Sequence, residues 1–187
     1  MKLYKIAYKY FFNRFVSIGL SGPYIGELTE VLLNIGIYPE LYLKSIPEYY
    51  MYKSSAITAF HIPNNINKIG NSAFKWCDKL NNITLSNSLV NIGEEAFLGC
   101  GELTRIDFPK SVTYIGDGAF KFCHNLNEIY LNNQSISIGE KAFYGCSENL
   151  IVNYAGTKKQ WNRSLSINFP RDILIKCLDG ELINMRY

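Results

Sequence analysis

From Ile69 to Cys146 the apolar positions of the chain repeat every 23 residues. Four strings, IGNSAFKWC, IGEEAFLGC, IGDGAFKFC and IGEKAFYGC, begin at Ile69, Ile92, Ile115 and Ile138. Phe74, Phe97, Phe120 and Phe143 keep that step, as do Cys77, Cys100, Cys123 and Cys146. After each of the first three Cys comes L-x-x-I-x-(L/F): Leu80, Ile83 and Leu85, then Leu103, Ile106 and Phe108, then Leu126, Ile129 and Leu131. The last two members of each triplet stand two apart, which is strand spacing, so one strand face points inward and the residues between them face outward. A Pro, Ser or Asn turn follows each strand: Pro63-Asn64-Asn65, Ser86-Asn87-Ser88, Pro109-Lys110-Ser111 and Asn132-Asn133-Gln134. Each unit thus reads as strand, turn, short extended piece, Gly turn and a brief helical or irregular stretch carrying Ala-Phe-x-x-Cys.

A unit this small cannot bury its apolar row alone, whereas stacking on its copies turns the rows into ladders and makes a solenoid. The Phe of each unit fills the resulting column. Gly70, Gly93, Gly116 and Gly139 supply either a positive φ or room for close backbone approach at the bend. A blurred unit precedes the clear ones: Ile46-Pro47 stands for Ile-Gly, Met51 for Phe74, Ser54 for Cys77, Ile57 for Leu80 and Phe60 for Ile83. This gives about five units over residues 46–150. Leu150 follows Cys146 by one residue more than Leu80 follows Cys77, so residues 151–187 are expected to form a C-terminal cap.

Residues 1–45 predict a helical N-terminal cap. Leu3, Ile6, Ala7, Tyr10, Phe11, Phe15 and Ile18 share one helical face, with Lys2, Lys5, Lys9 and Asn13 opposite. After a break at Ser21-Gly22-Pro23, Ile25, Leu28, Leu32 and Leu33 continue the spacing as far as Gly36. Covering the open end of the column is the simplest role for these helices. The alternatives are a helix lying on a membrane surface, suggested by the cations of residues 2–18, and a helix pair that binds a partner.

IGxxAFxxC followed by LxxIxL, with the link FPKSVTYIG, resembles the BspA-like leucine-rich repeats of bacterial surface proteins, some protists and many bacteriophages. The resemblance covers residues 46–150, and NYAGTKKQW followed by ILIKCLDG resembles the segment that closes such arrays. It implies a right-handed leucine-rich-repeat solenoid of α/β class, with short parallel strands in one sheet, used for protein binding or adhesion and carrying no catalytic residues or cofactor. A short array with a helical front end and no evident anchor is similar to phage-encoded members.

Composition narrows the function. A hydrophobic fraction of 48% with 14 Tyr and 11 Phe predicts an ordered chain. No apolar run is long enough to span a membrane, so integral membrane association is not expected. Lys5, Lys9 and Arg14 interrupt the apolar N-terminus where a signal peptide needs an uncharged stretch, which makes a cytoplasmic location the expectation. The net charge of +3 is uneven: residues 151–187 are basic, while residues 66–150 hold seven basic against nine acidic side chains. Nucleic-acid binding is not expected from basic ends without concentrated charge or paired aromatic platforms.

The five cysteines include no C-x-x-C, and His61 and His124 are the only histidines, so the 23-residue Cys spacing serves the fold rather than a metal. In-register Cβ vectors point the same way, which opposes disulfides between coils. Reduced thiols acting as small apolar fillers follow, with Cys177 also free. No nucleophile elbow, P-loop, dinucleotide fingerprint or HExxH occurs, and Glu94 and Glu95 read as solvated surface, so no enzyme is expected.

Binding falls to the outward residues of consecutive strands. Asn82 and Thr84, Arg105 and Asp107, and Glu128 and Tyr130 form a strip with His61, and solenoid sheet faces are extended binding surfaces. Arg105 and Tyr130 are the candidate principal contacts, with Asp107 and Glu128 setting specificity. Alternatively, Arg105 simply pairs with Asp107 or Glu128 across the sheet. The expected function is a non-enzymatic protein-interaction module, in the phage-encoded reading one that occupies a host protein. A surface or virion-associated adhesive component is the alternative.

Overall fold

The computed structural model describes residues 44–161 and 163–184. The helical cap expected over residues 1–45 therefore lies, but for its last two residues, outside the described residues. In chain order the elements are β1 (Ser45–Ile46), β2 (Ala59–His61), β3 (Lys68–Ile69), β4 (Asn82–Thr84), β5 (Asn91–Ile92), β6 (Arg105–Phe108), β7 (Tyr114–Ile115), β8 (Glu128–Leu131), β9 (Ser137–Ile138), β10 (Ile151–Tyr154), α1 (Arg163–Ser166), β11 (Leu174–Cys177) and β12 (Gly180–Ile183).

The result is a parallel-strand β-solenoid. On one side, β1, β3, β5, β7 and β9 form a five-stranded sheet in which Ile46, Ile69, Ile92, Ile115 and Ile138 pair in register. On a second side, Ile106, Ile129, Val152 and Ile175 form the corresponding ladder through β6, β8, β10 and β11. Both ladders use β-branched residues, which suit a pleated surface buried on one face. The blurred first unit fits as its sequence implies: Phe60 pairs with Ile83, and Met51 and Ser54 are buried.

The Phe rings form a single file. Phe74 and Phe97 stack at 5.1 Å, Phe97 and Phe120 at 5.0 Å, and Phe120 and Phe143 at 5.4 Å. Phe169 extends the file by stacking on Phe143 at 4.5 Å, and Tyr50 and Phe60 pack edgewise or tilted on Phe74 at the other end. All of these rings except Phe60 are fully buried. The ladder also runs past Leu150. β11 pairs parallel to β10, and β12 then turns back antiparallel at the end of that sheet.

Two expectations need correction. The strands form three sheets rather than one: the Ile-Gly pieces pair in a sheet of their own, and the second side is split, β2 pairing only with β4 while β6 starts a separate five-stranded sheet. The break falls where the inward residue changes from Leu85 to the larger Phe108, whose ring stands edge-on to Phe120. The Ala-Phe-x-x-Cys stretch is not helical, so the α/β class gives way to a β-solenoid; α1 is the one helix among the described residues. Two left-handed residues per coil, such as Ser72 and Trp76, turn successive amides toward the next coil, so that Phe74 N–H donates to Ala96 O at 2.7 Å and Trp76 N–H to Leu98 O at 2.7 Å. Of the two roles expected for the Gly of each Ile-Gly pair, close backbone approach is the one present, since none of these glycines is in the left-handed region. A β-carbon on Gly116 would stand 2.6 Å from the Glu94 amide nitrogen of the preceding coil.

Candidate binding face

Along β6, β8 and β10 buried side chains alternate with exposed or half-buried ones, which turns every second side chain outward. Register then arranges these side chains in columns. His61 lies beside Thr84, Asp107 beside Tyr130, and Arg105 beside Glu128. His61, Asn82, Thr84, Arg105 and Asp107 are exposed, and Glu128 and Tyr130 are half-buried. All seven predicted residues thus lie on the expected side, but the break between β4 and β6 places His61, Asn82 and Thr84 on one sheet and the other four on another.

Those four form one connected group. Arg105 Nη1 donates to Glu128 Oε2 at 2.9 Å, and the guanidinium lies 4.2 Å from the centre of the Tyr130 ring. Tyr130 Oη donates to Glu128 Oε1 at 2.7 Å, and Arg105 Nη2 approaches Asp107 Oδ2 at 3.8 Å. The pairing given as the alternative for Arg105 is therefore present, and the guanidinium is also held over the Tyr130 ring. The hydrogen bond to Glu128 and its negative charge raise the Tyr130 phenol above its ordinary range, against the opposing effect of Arg105. Tyr130 accordingly stays a neutral donor near pH 7.

Sequence reasoning missed part of this face. Asn132 donates to Asp107 Oδ1 at 2.7 Å and to the Phe108 carbonyl at 2.9 Å, fixing the carboxylate. The column of Tyr130 continues through Asn153 and Lys176, with Lys176 opposite Glu181. The same 23-residue step locates both residues, but the extra residue before Leu150 hides it.

The turn side of the coils holds a second missed feature, with a period of two coils. AFKWC and AFKFC, ending at Cys77 and Cys123, alternate with AFLGC and AFYGC, ending at Cys100 and Cys146. Trp76, Gly99, Phe122 and Gly145 occupy one left-handed position, at φ of 61°, 75°, 61° and 74°. Each ring lies on the glycine of the next coil, since a β-carbon on Gly99 would stand 2.1 Å from Trp76 Cε3 and one on Gly145 2.6 Å from Phe122 Cδ1. Trp76 and Phe122 border an open cleft of about 580 Å³ with Gly99 and Gly101 in its floor.

The thiols have a role beyond filling. Cys100, Cys123 and Cys146 each donate to the carbonyl of the Phe one coil earlier, at 3.2 Å, and Cys77 donates to Met51 O at 2.9 Å. Burial pushes the Cys100 and Cys123 thiols well up and that of Cys146 to about 12, so they are inert at neutral pH. Glu95 forms an ion pair with Lys75 at 2.5 Å, while Glu94 is exposed. Among the described residues there is no group of three or more His, Cys, Asp or Glu side chains placed to hold a metal, and no helix long and apolar enough to cross a membrane.

Comparison with known proteins gives a consistent picture. The profile of the BspA type leucine rich repeat region matches residues 44–164 in six copies, one more than the unit count read from the sequence. A leucine-rich-repeat protein of T. pallidum is similar with a TM-score of 0.57 and 29% identity, over 63% of this chain and 53% of that one. A leucine-rich-repeat protein from Bacteroides ovatus is similar with a TM-score of 0.52 and 25% identity, over 71% of this chain and 39% of that one. The chain thus spans about half the length of the first and about two fifths of the second. No curated protein matches it.

Proposed function

The chain belongs to the BspA type leucine-rich-repeat family, and on that premise we propose that it is a non-enzymatic module that captures a partner protein on the face carrying β6, β8 and β10. Leucine-rich-repeat proteins are generally protein-interaction modules, which supports the class of function. The observation that carries the choice of face is the Arg105–Tyr130–Glu128 group. Its polar side chains are ordered by one another before any partner arrives, so little rotamer freedom is left to lose on binding. Arg and Tyr are also the residue types enriched among interface anchors.

Asp107, held by Asn132, and Glu128 give the face acidic character beside the neutralised Arg105, which favours a partner with a basic patch. His61, Asn82 and Thr84 extend the contact across the sheet break. The site of action proposed is the cytoplasm, in the phage-encoded reading that of a host cell. Fractionation decides between this and the adhesive alternative, which requires the protein on particles or cell exteriors.

The test is a pull-down from the native host with the full chain and with the double variant Arg105→Ala/Tyr130→Ala. Loss of one specific protein from the variant's capture, with an unchanged melting curve, is the expected result. Identical capture by both removes this face from consideration.

A further inference from the structure

The second sheet ends in an open edge. β12 is its last strand and has no neighbour on its outer side among the described residues. Asn184 N–H donates to Ile173 O at 3.0 Å, and the Asn184 carbonyl accepts from Asp172 N–H at 3.1 Å. The alternation of an antiparallel ladder then turns the backbone groups of Leu182 and Gly180 toward β11 as well. Glu181 and Ile183 therefore direct their N–H and C=O groups away from the sheet. Such an edge is a template for another strand unless charge, Pro or a covering segment blunts it. β12 holds neither Pro nor Lys, and Glu181 is its one charge.

Two rows of side chains reach this edge on the outward face. Leu182 packs against the core, so Glu181 and Ile183 point to the other side. Ile151, Leu174 and Ile183 stand next to one another in register as an apolar row, half-buried in the first two and 48% exposed in the last. Beside it run Asn153, Lys176 and Glu181. Lys176 and Glu181 are both exposed and do not close to an ion pair.

We propose that β12 takes up an extended segment of a partner protein as a further strand, with an apolar side chain beside Ile183 and a cation beside Glu181. The free backbone groups of Glu181 and Ile183 select a strand, and the two rows select its side chains. An apolar residue covers Ile183, while a cation two positions away continues the alternation of Lys176 and Glu181 by one more strand. Lys158 does not fill that place. Its Nζ lies 3.2 Å from the β-position of Gly180, on the side of the strand that carries Leu182. A second copy of β12 has no cation to offer Glu181. The site uses no residue of the Arg105 group and stands even if that group proves idle.

The probe is the blocked peptide Thr-Val-Thr-Val-Thr-Lys-Thr, added to the ¹⁵N-labelled full chain. The amides of Glu181 and Ile183 should shift saturably and exchange about tenfold more slowly, while those of Ile92 and Ile115 stay unchanged. Every second amide of an added strand faces β12, so N-methylation of one alternate set should abolish binding and that of the other set should leave it. Exchanging the peptide's Lys for Glu should weaken binding about threefold. Glu181→Pro removes an outward N–H, which an edge strand tolerates, and should abolish binding at an unchanged melting temperature. Should that variant melt earlier, the two methylated peptides decide. No shift at millimolar peptide, equal loss from both methylation sets, or full binding by a stable Glu181→Pro overturns the proposal. So does protection of Glu181 and Ile183 that rises with protein concentration in the absence of peptide, which assigns the edge to a second copy.

Discussion

Replacing Gly116 by alanine adds a single methyl group and should nevertheless cost more than most surface changes to this protein. The added carbon would stand 2.6 Å from the Glu94 amide nitrogen and 2.7 Å from the Gly93 carbonyl carbon. Both atoms belong to the backbone of the preceding coil, so no side chain can swing away. Restoring ordinary contact requires the two coils to part by about 0.8 Å. The Gly116 N–H bond to Ile92 O, now 2.9 Å, would stretch to about 3.7 Å and cease to be a hydrogen bond. Loss of that bond, about 0.5–1.5 kcal/mol, adds to an overpacking cost of about 1–3 kcal/mol. The expected destabilisation is thus about 1.5–4.5 kcal/mol, a large share of the stability of a small domain. Gly101→Ala is the internal control. Its β-carbon meets nothing and its φ is not left-handed, so it should be neutral or stabilising by about 0.4–1 kcal/mol through the unfolded chain. Urea unfolding of the parent and both variants measures the contrast. If Gly116→Ala falls within about 0.5 kcal/mol of the parent, the close approach of coils at this position is refuted.

Phe97→Ala removes the ring between Phe74 and Phe120 and should cost about 3–5 kcal/mol in the same assay, while Tyr144→Ala, at an exposed ring, should cost much less. The buried thiols predict alkaline lability. Burial raises the pKa of Cys100, Cys123 and Cys146 above the ordinary 9.0, so above that pH the unfolded chain holds fewer protons than the folded one, and stability falls as pH rises toward about 12. The urea midpoint should therefore drop between about pH 8 and pH 10.5, and less so in Cys146→Ser. Arg105→Ala should change stability by no more than about 1 kcal/mol, because its ion pairs are solvent-exposed, so any large loss of partner capture reports on binding.

The stacking was readable because a period of 23 residues preserves each residue's role from coil to coil. Ile83, Ile106 and Ile129 therefore announced their inward direction, and with it the outward one of Asn82, Arg105 and Glu128. What escaped depends on neighbours in space rather than on pattern. The sequence shows Cys at four successive coils, but not that the Sγ–H of Cys100, Cys123 and Cys146 meets the preceding Phe carbonyl, which requires the actual turn geometry. The Gly of Ile-Gly suggested two physical reasons, and only the distance to the previous coil's backbone chose between them. The alternation of Trp76 and Phe122 with Gly99 and Gly145 is visible in the letters once a 46-residue period is sought. Its meaning appears only when each ring is found lying on the next glycine. The break between β4 and β6 has no letter pattern of its own beyond the change from Leu85 to Phe108.

Every binding surface described for this chain depends on each residue lying beside the one 23 positions away. Nuclear Overhauser contacts between backbone protons measure that relation directly. The structure predicts a continuous series linking Ile69 to Ile92, Ile92 to Ile115 and Ile115 to Ile138, with a parallel series from Ile106 through Ile129 and Val152 to Ile175. A series displaced by one residue would turn the inward side chains out. That displacement, or contacts joining Phe97 to neither Phe74 nor Phe120, would contradict the account.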